Sequence, residues 1–196
     1  MRAITTAFMA VGLLVLSFSA GWADARYQRG PFTAAEAAPA PEWVVSEWIR
    51  GPESSLAELK GQVVVIDFFQ LWCPGCNRFS IPLMGEWEKV FAQEIASGQL
   101  TLISIHTVFE GHDYQTPERL KDYVKEKDMR HPVAVDNLSP GNRLPDSMLL
   151  FDTRGTPEMA IIDKAGRIRF QKLGSFDPNW ATGFIRDLLA EPLEGS

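Results

Sequence analysis

Cysteine and histidine are scarce in this chain. Its 196 residues hold two cysteines, Cys73 and Cys76, and three histidines, His106, His112 and His131. A disulfide scaffold is excluded, because a bridge across two intervening residues closes too short a loop to restrain the unfolded chain much. A structural zinc site is equally hard to assemble: it takes about four ligands, and there is no second CxxC and no HxxxH-type pair. Covalent c-type haem attachment needs His directly after the second Cys, and residue 77 is Asn. Basic residues are also outnumbered, 19 Lys and Arg against 25 Asp and Glu, for a net charge of −6. That composition gives no support for a nucleic-acid face and disfavours docking on an anionic membrane surface. Apolar residues are not lacking. At 45% hydrophobic and 22% charged the chain can bury an ordinary globular core.

Ionisable residues are missing altogether from residues 3–23, between Arg2 and Asp24. Within that stretch residues 8–18 form a compact apolar run, followed by the small-x-small triplets Gly21-Trp22-Ala23 and Ala23-Asp24-Ala25. Residues 1–25 therefore read as an export signal peptide, with an uncleaved N-terminal anchor as the alternative. Residues 26–41, rich in Ala, Pro and Gly, read as a linker, and residues 42–196 as the folded domain. Export makes the cysteine usage pointed: a secreted chain with one close-set pair has a reactive centre rather than a staple.

Along the domain, residues 43–45 open a short strand and Ser54-Ser55 cap a helical turn over residues 56–59 that stops at Gly61. Residues 63–66, Val-Val-Val-Ile, continue into Phe68-Phe69 as a buried parallel strand. A helix is expected from the CxxC to about residue 96, kinked at Pro82. Strands follow at 100–105 and 132–135, with a helix from Thr116-Pro117 to about 128 and a brief one at 144–150. Residues 159–162 and 168–171 form a hairpin about Asp163-Lys-Ala-Gly166. An amphipathic helix over 179–190 closes the chain, with Trp180, Phe184, Ile185, Leu188 and Leu189 on its inner face. The order predicts an α/β fold, a parallel sheet to which a hairpin adds antiparallel strands.

The segment Asp67-Phe-Phe-Gln-Leu-Trp-Cys-Pro-Gly-Cys76 puts a CxxC past a buried strand, at the start of a helix. Orphan backbone N–H groups and the positive end of the helix dipole favour a thiolate there. Thiol pKa values in such places fall from about 8.5 to roughly 3.5–7.5. Cys73 is then the nucleophile and Cys76, one turn further in, the resolving thiol of a redox disulfide. Asp67, in an apolar run, is expected to keep a proton through burial. A peroxidase of the peroxiredoxin type wants Thr three residues before its reactive Cys, and Gln70 stands there.

These residues resemble the thioredoxin superfamily, and more narrowly the exported TlpA/ResA/CcmG-like thiol–disulfide oxidoreductases. The resemblance runs over roughly residues 40–190 and is strongest in Val63 to Cys76 and in Arg154-Gly-Thr-Pro-Glu-Met-Ala-Ile-Ile-Asp-Lys-Ala-Gly-Arg167. It implies a thioredoxin fold, a central mixed β-sheet flanked by helices on both faces. It implies that Asp67 exchanges a proton with Cys76. It also implies a cis peptide before Pro157, opposite the CxxC, with the Thr156 backbone pairing with a bound substrate strand. Trp72 is expected to pack and shield the site. Further implications are a periplasmic enzyme, reduction of protein disulfides without a bound cofactor, and electrons from a membrane thiol donor. The sequence departs from the pattern in three places. The dipeptide is Pro-Gly rather than Gly-Pro. Pro82 lies six residues after Cys76 where five is common. The loop His106-Thr-Val-Phe-Glu-Gly-His-Asp113 is long, and its Glu110 and His112 either tune the thiolate, meet a partner or are merely solvated. Glu158 is a weaker candidate for partner contact. The alternative function is a module that holds copper(I) through two soft thiolates.

Overall fold

A computed structural model describes residues 28–193. The segment read as an export signal lies outside the described residues, and none of the described helices is long and apolar enough to cross a membrane. The elements are strands β1 (Gln28–Arg29), β2 (Val45–Arg50), β3 (Val63–Phe69), β4 (Leu100–His106), β5 (Val133–Asp136), β6 (Glu158–Ile162) and β7 (Ile168–Leu173). Helices are α1 (Ile81–Val90), α2 (Ala92–Ala96), α3 (Pro117–Glu126), α4 (Asp146–Leu150) and α5 (Pro178–Ala190), with a π-helical turn over Cys76–Ser80. One seven-stranded sheet runs β1-β7-β6-β3-β4-β5-β2. β3, β4 and β5 are parallel, and the remaining pairs are antiparallel.

Every residue of β3 is buried, as an apolar run interrupted only by Asp67 requires of a strand covered on both faces. Alternation divides its side chains. Val63 and Val65 pack with Met84 and Trp87 of α1 and Ile185 and Leu188 of α5. Val64, Ile66 and Phe68 pack on the other face with Trp43, Leu56 and Phe151. By the same period of two, Asp67 faces the side of α1.

The sequence expectation of one kinked helix from the CxxC to residue 96 is corrected. The backbone is helical from Pro74, passes through the π-turn, and resumes as α1 and then α2. The Ile81 N–H bonds Cys76 O five residues back, and Pro82, which has no N–H, falls at the first positions of α1. The extra residue between Cys76 and Pro82 is taken up as a single wide turn. At α3 the Thr116 hydroxyl caps the Arg119 N–H, as expected. At α5 the cap is Asp177, and Trp180 is 37% exposed rather than inside. The small Ala181, which the apolar pattern passed over, is buried in its place.

The stretch read as a linker is bonded to the sheet from Gln28 onward. β1 pairs with β7, the Phe32 N–H reaches Arg169 O at 2.8 Å, and Ala40 N–H reaches Gly166 O at 2.8 Å. These bonds are made by main chain, so Ala and Pro side chains gave no sign of them. At the other edge β2 pairs with β5 through two register shifts.

Glu88 on α1 ties this helix to the sheet. Its Oε1 accepts the amides of Arg130 and His131 at 2.8 and 2.7 Å and His131 Nδ1 at 2.5 Å, while His131 Nε2 meets Ser104 Oγ at 2.8 Å. The order acid, imidazole, hydroxyl is that of a nucleophilic triad, but Ser104 is fully buried in β4 and the chain of bonds is structural. Glu88→Ala is expected to strip three donors of their acceptor and lower stability by about 2–4 kcal/mol, read by urea unfolding.

Candidate active site

β3 ends at Phe69, and a short turn through Gln70, Leu71 and Trp72 delivers Cys73 to the helix start. The first helical bond runs from Asn77 N–H to Cys73 O at 3.1 Å. The Cys76 N–H points at Cys73 Sγ at 3.1 Å, and the Cys73 thiol reaches Thr156 O at 3.4 Å. Both cysteines are free thiols, Cys73 7% exposed and Cys76 fully buried. The two sulfurs are thereby unlike. A hydrogen bond from the Cys76 thiol pulls the Cys73 pKa down to about 6, with help from Thr156 and the amides of Cys76 and Gly75, against the effect of burial. Burial pushes the Cys76 thiol up, and its bond to Cys73 and the charge of Asp67 push the same way.

Asp67 lies in β3 beneath this pair with neither carboxyl oxygen hydrogen-bonded. Burial raises its pKa to about 7; Ser80 acts the other way, and the charge of Cys73 adds to the rise. The Thr156–Pro157 peptide is cis, and Pro157 stands directly over the dipeptide. A Cβ on Gly75 would come within 2.8 Å of Pro157 Cδ, so the second dipeptide position is Gly because Pro157 leaves no room for a side chain. Beside Cys73 is a groove of about 540 Å³ whose walls include Trp72, Phe109, Glu110 and Thr156. All six residues singled out by sequence, Asp67, Trp72, Cys73, Cys76, Thr156 and Pro157, thus meet at one end of the sheet.

Other candidates fare differently. Glu110 lines the groove, whereas His112 is exposed and absent from its walls. Glu158 is not a partner contact: it is buried in β6, taking the Arg154 N–H and Gln171 Nε2. Sequence reasoning missed Asn77, whose Nδ2 donates to Leu71 O and Cys73 O at 2.9 and 3.0 Å and whose Oδ1 accepts from Tyr123 OH at 3.0 Å. Asn77 stiffens the turn that carries Cys73. Its signal was its place immediately after Cys76, noted only for not being His. Gln115 was missed too: its Oε1 accepts the Leu71 N–H at 3.0 Å.

The AhpC/TSA family profile matches residues 37–171. The chain belongs to that family. Within it, the likeness is to thioredoxin-like thiol–disulfide proteins. A thiol–disulfide isomerase from Corynebacterium glutamicum is 37% identical and superimposes with a TM-score of 0.71 over 79% of this chain and 98% of that one. The thiol–disulfide oxidoreductase ResA of Bacillus cereus is 24% identical over 149 residues, 76% of each chain. DipZ of Mycobacterium tuberculosis is 27% identical over 154 residues, 77% of this chain but 20% of DipZ, so the chain spans about a fifth of that relative. The mixed sheet with helices on both faces is the thioredoxin-like fold that the sequence implied.

Two measurements test the electrostatics of this AhpC/TSA-family site. Alkylation of Cys73 by iodoacetamide is expected to climb as pH rises through about 6, and Cys73→Ser is expected to abolish that step. For Asp67, a folded-state pKa above the unfolded value means that the folded protein binds the proton more tightly. Its contribution to stability therefore falls as pH rises from 3.8 through about 7. Asp67→Asn is expected to be more stable than the parent by on the order of 2–4 kcal/mol near about pH 8, the gap closing below about pH 4, read by urea unfolding at several pH values.

Proposed function

We propose that this chain is a thiol–disulfide oxidoreductase that reduces disulfides of protein substrates through Cys73 and Cys76. The observation that carries the reading is the inequality of the two thiols: one ionised near neutrality at a groove, the other protonated, buried and beside a carboxyl of raised pKa.

An extended substrate segment lies in the groove with its backbone against Thr156. When Cys73 ionises it no longer donates to Thr156 O, and that carbonyl becomes free for a substrate N–H. The Cys73 thiolate attacks one sulfur of the substrate disulfide, the substrate S–S bond breaks, and its other sulfur leaves as a thiolate. Ionised Asp67 takes the proton of Cys76, whose sulfur displaces the substrate from Cys73; the two substrate thiolates take up protons, one by way of Asp67 and one from solvent, leaving a Cys73–Cys76 disulfide in the protein and a dithiol in the substrate. Two electrons pass to the substrate with no bound cofactor. Trp72, 45% exposed beside Cys73, covers the approach. A periplasmic location and re-reduction by a membrane thiol donor complete the proposal; both come from the resemblance to the exported group.

Two other readings have less support. A peroxidase reading asks for Thr at position 70, where Gln stands. A copper-holding module, for which two thiolates would serve, has no support from the relatives, which are named for thiol–disulfide chemistry.

Cys76→Ser is expected to trap substrate and donor as mixed disulfides on Cys73, separable on non-reducing gels, while Cys73→Ser traps none. Equilibration with glutathione is expected to give a potential well below the about −120 mV of strong oxidants; a value near that figure reverses the direction.

A further inference from the structure

Among the described residues, Glu110 is the one ionisable side chain on the groove apart from the reactive Cys73. It sits on the loop between β4 and α3, exposed to solvent, and the loop is tightly built. Gln115 Nε2 donates to Glu110 O at 2.8 Å, while its Oε1 takes the Leu71 N–H at 3.0 Å and meets His106 Nε2 at 3.3 Å. One buried amide side chain thus couples the loop to the turn that carries Cys73. Trp72 closes the join from outside. Its ring stacks on Tyr114 at 5.9 Å and 13°, and a Cβ on Gly111 would fall 2.1 Å from Trp72 Cη2. Arg119 in turn lies 4.2 Å over the Tyr114 ring. The Trp72 indole N–H also donates to Gln70 Oε1 at 3.3 Å, tying Trp72 to the turn before Cys73.

We propose that Glu110 is a specificity-determining residue that favours disulfides flanked by positive charge, and that Gln115 is the positioning residue that holds it at the groove. The proposal rests on the reading of the site as a disulfide reductase. An acidic side chain beside an anionic nucleophile repels an anionic approach and attracts a cationic one. Of the cations near the groove, Arg154, next to Gly155, is paired with Asp152 at 3.4 Å, and Arg119 lies on the Tyr114 ring.

Two small disulfides test this on the reduced full chain: cystamine, which is cationic, and 3,3′-dithiodipropionate, which is anionic. Each reacts in the same balanced sequence. Cys73 attacks and one probe thiolate leaves and takes up a proton. Cys76 then releases the second, so the protein is oxidised to its disulfide and the probe reduced to two thiols. Both probes react with any accessible thiolate, so the result stands apart from whether protein disulfides are turned over. The readout is the ratio of the two rate constants, compared between variants. The thiolate is common to all of them and cancels in that comparison, and the two Gln115 variants also keep the parent's net charge.

In Glu110→Gln the cystamine preference is expected to fall about three- to ten-fold, and the difference from the parent to shrink at high salt. In Gln115→Leu, which keeps Glu110 but frees the loop, a fall in the same direction is expected, and Gln115→Met, neutral, of similar length and without either hydrogen bond, is expected to behave alike. A ratio unchanged in Glu110→Gln overturns the proposal. A ratio unchanged in both Gln115 variants overturns the positioning role.

Discussion

The arrangement turns on one sulfur fixed at the first turn of a helix. Cys73 Sγ receives an amide from behind, from Cys76, and the second thiol lies within bonding reach. Everything adjacent serves that placement. β3 brings the chain to the spot, Asn77 locks the carbonyls of Leu71 and Cys73, and Pro157 presses on Gly75. Without a fixed origin for the helix the two thiols would titrate alike, and neither would be set apart as attacker or resolver.

Beneath the sulfurs the protein tolerates an unpaired carboxyl. A buried Asp with no hydrogen-bond partner is costly when ionised, and the fold gives it neither a cation nor a donor in bonding geometry. The result is an acid whose pKa is raised to about 7, close to the lowered pKa of the Cys73 thiol. Local surroundings alone move the two toward each other, the carboxyl up and the thiol down.

Much of this was legible in the sequence because it is local. An apolar run such as Val63 to Phe69 specifies a central strand wherever it folds, and a CxxC behind it reports the helix start. Asp67, Thr156 and Pro157 were legible through resemblance to a family. What escaped reading depends on distance in sequence. Nothing in Gln28 announces Lys172 as its partner, since the bonds belong to main chain. Gln115 and Tyr123 reach the site from 44 and 46 residues away, as ordinary polar residues bordering or within a helix. The wide turn over Cys76–Ser80 was announced by a count of residues before Pro82, yet the count did not say where the slack would be absorbed. Trp180 failed for another reason. Amphipathic spacing assigns a large ring to the interior, but the ring stacks on Phe184 at the rim and Ala181 takes the interior place.

The two margins of the sheet bear on whether the protein pairs with other extended chains. One margin is occupied by β1, and the other strand, β2, is irregular and carries exposed Glu47 and Arg50. Sheet borders of that kind resist fusion with stray extended chains. Both borders of the described sheet are thus poor templates for the edge-to-edge pairing through which extended chains aggregate.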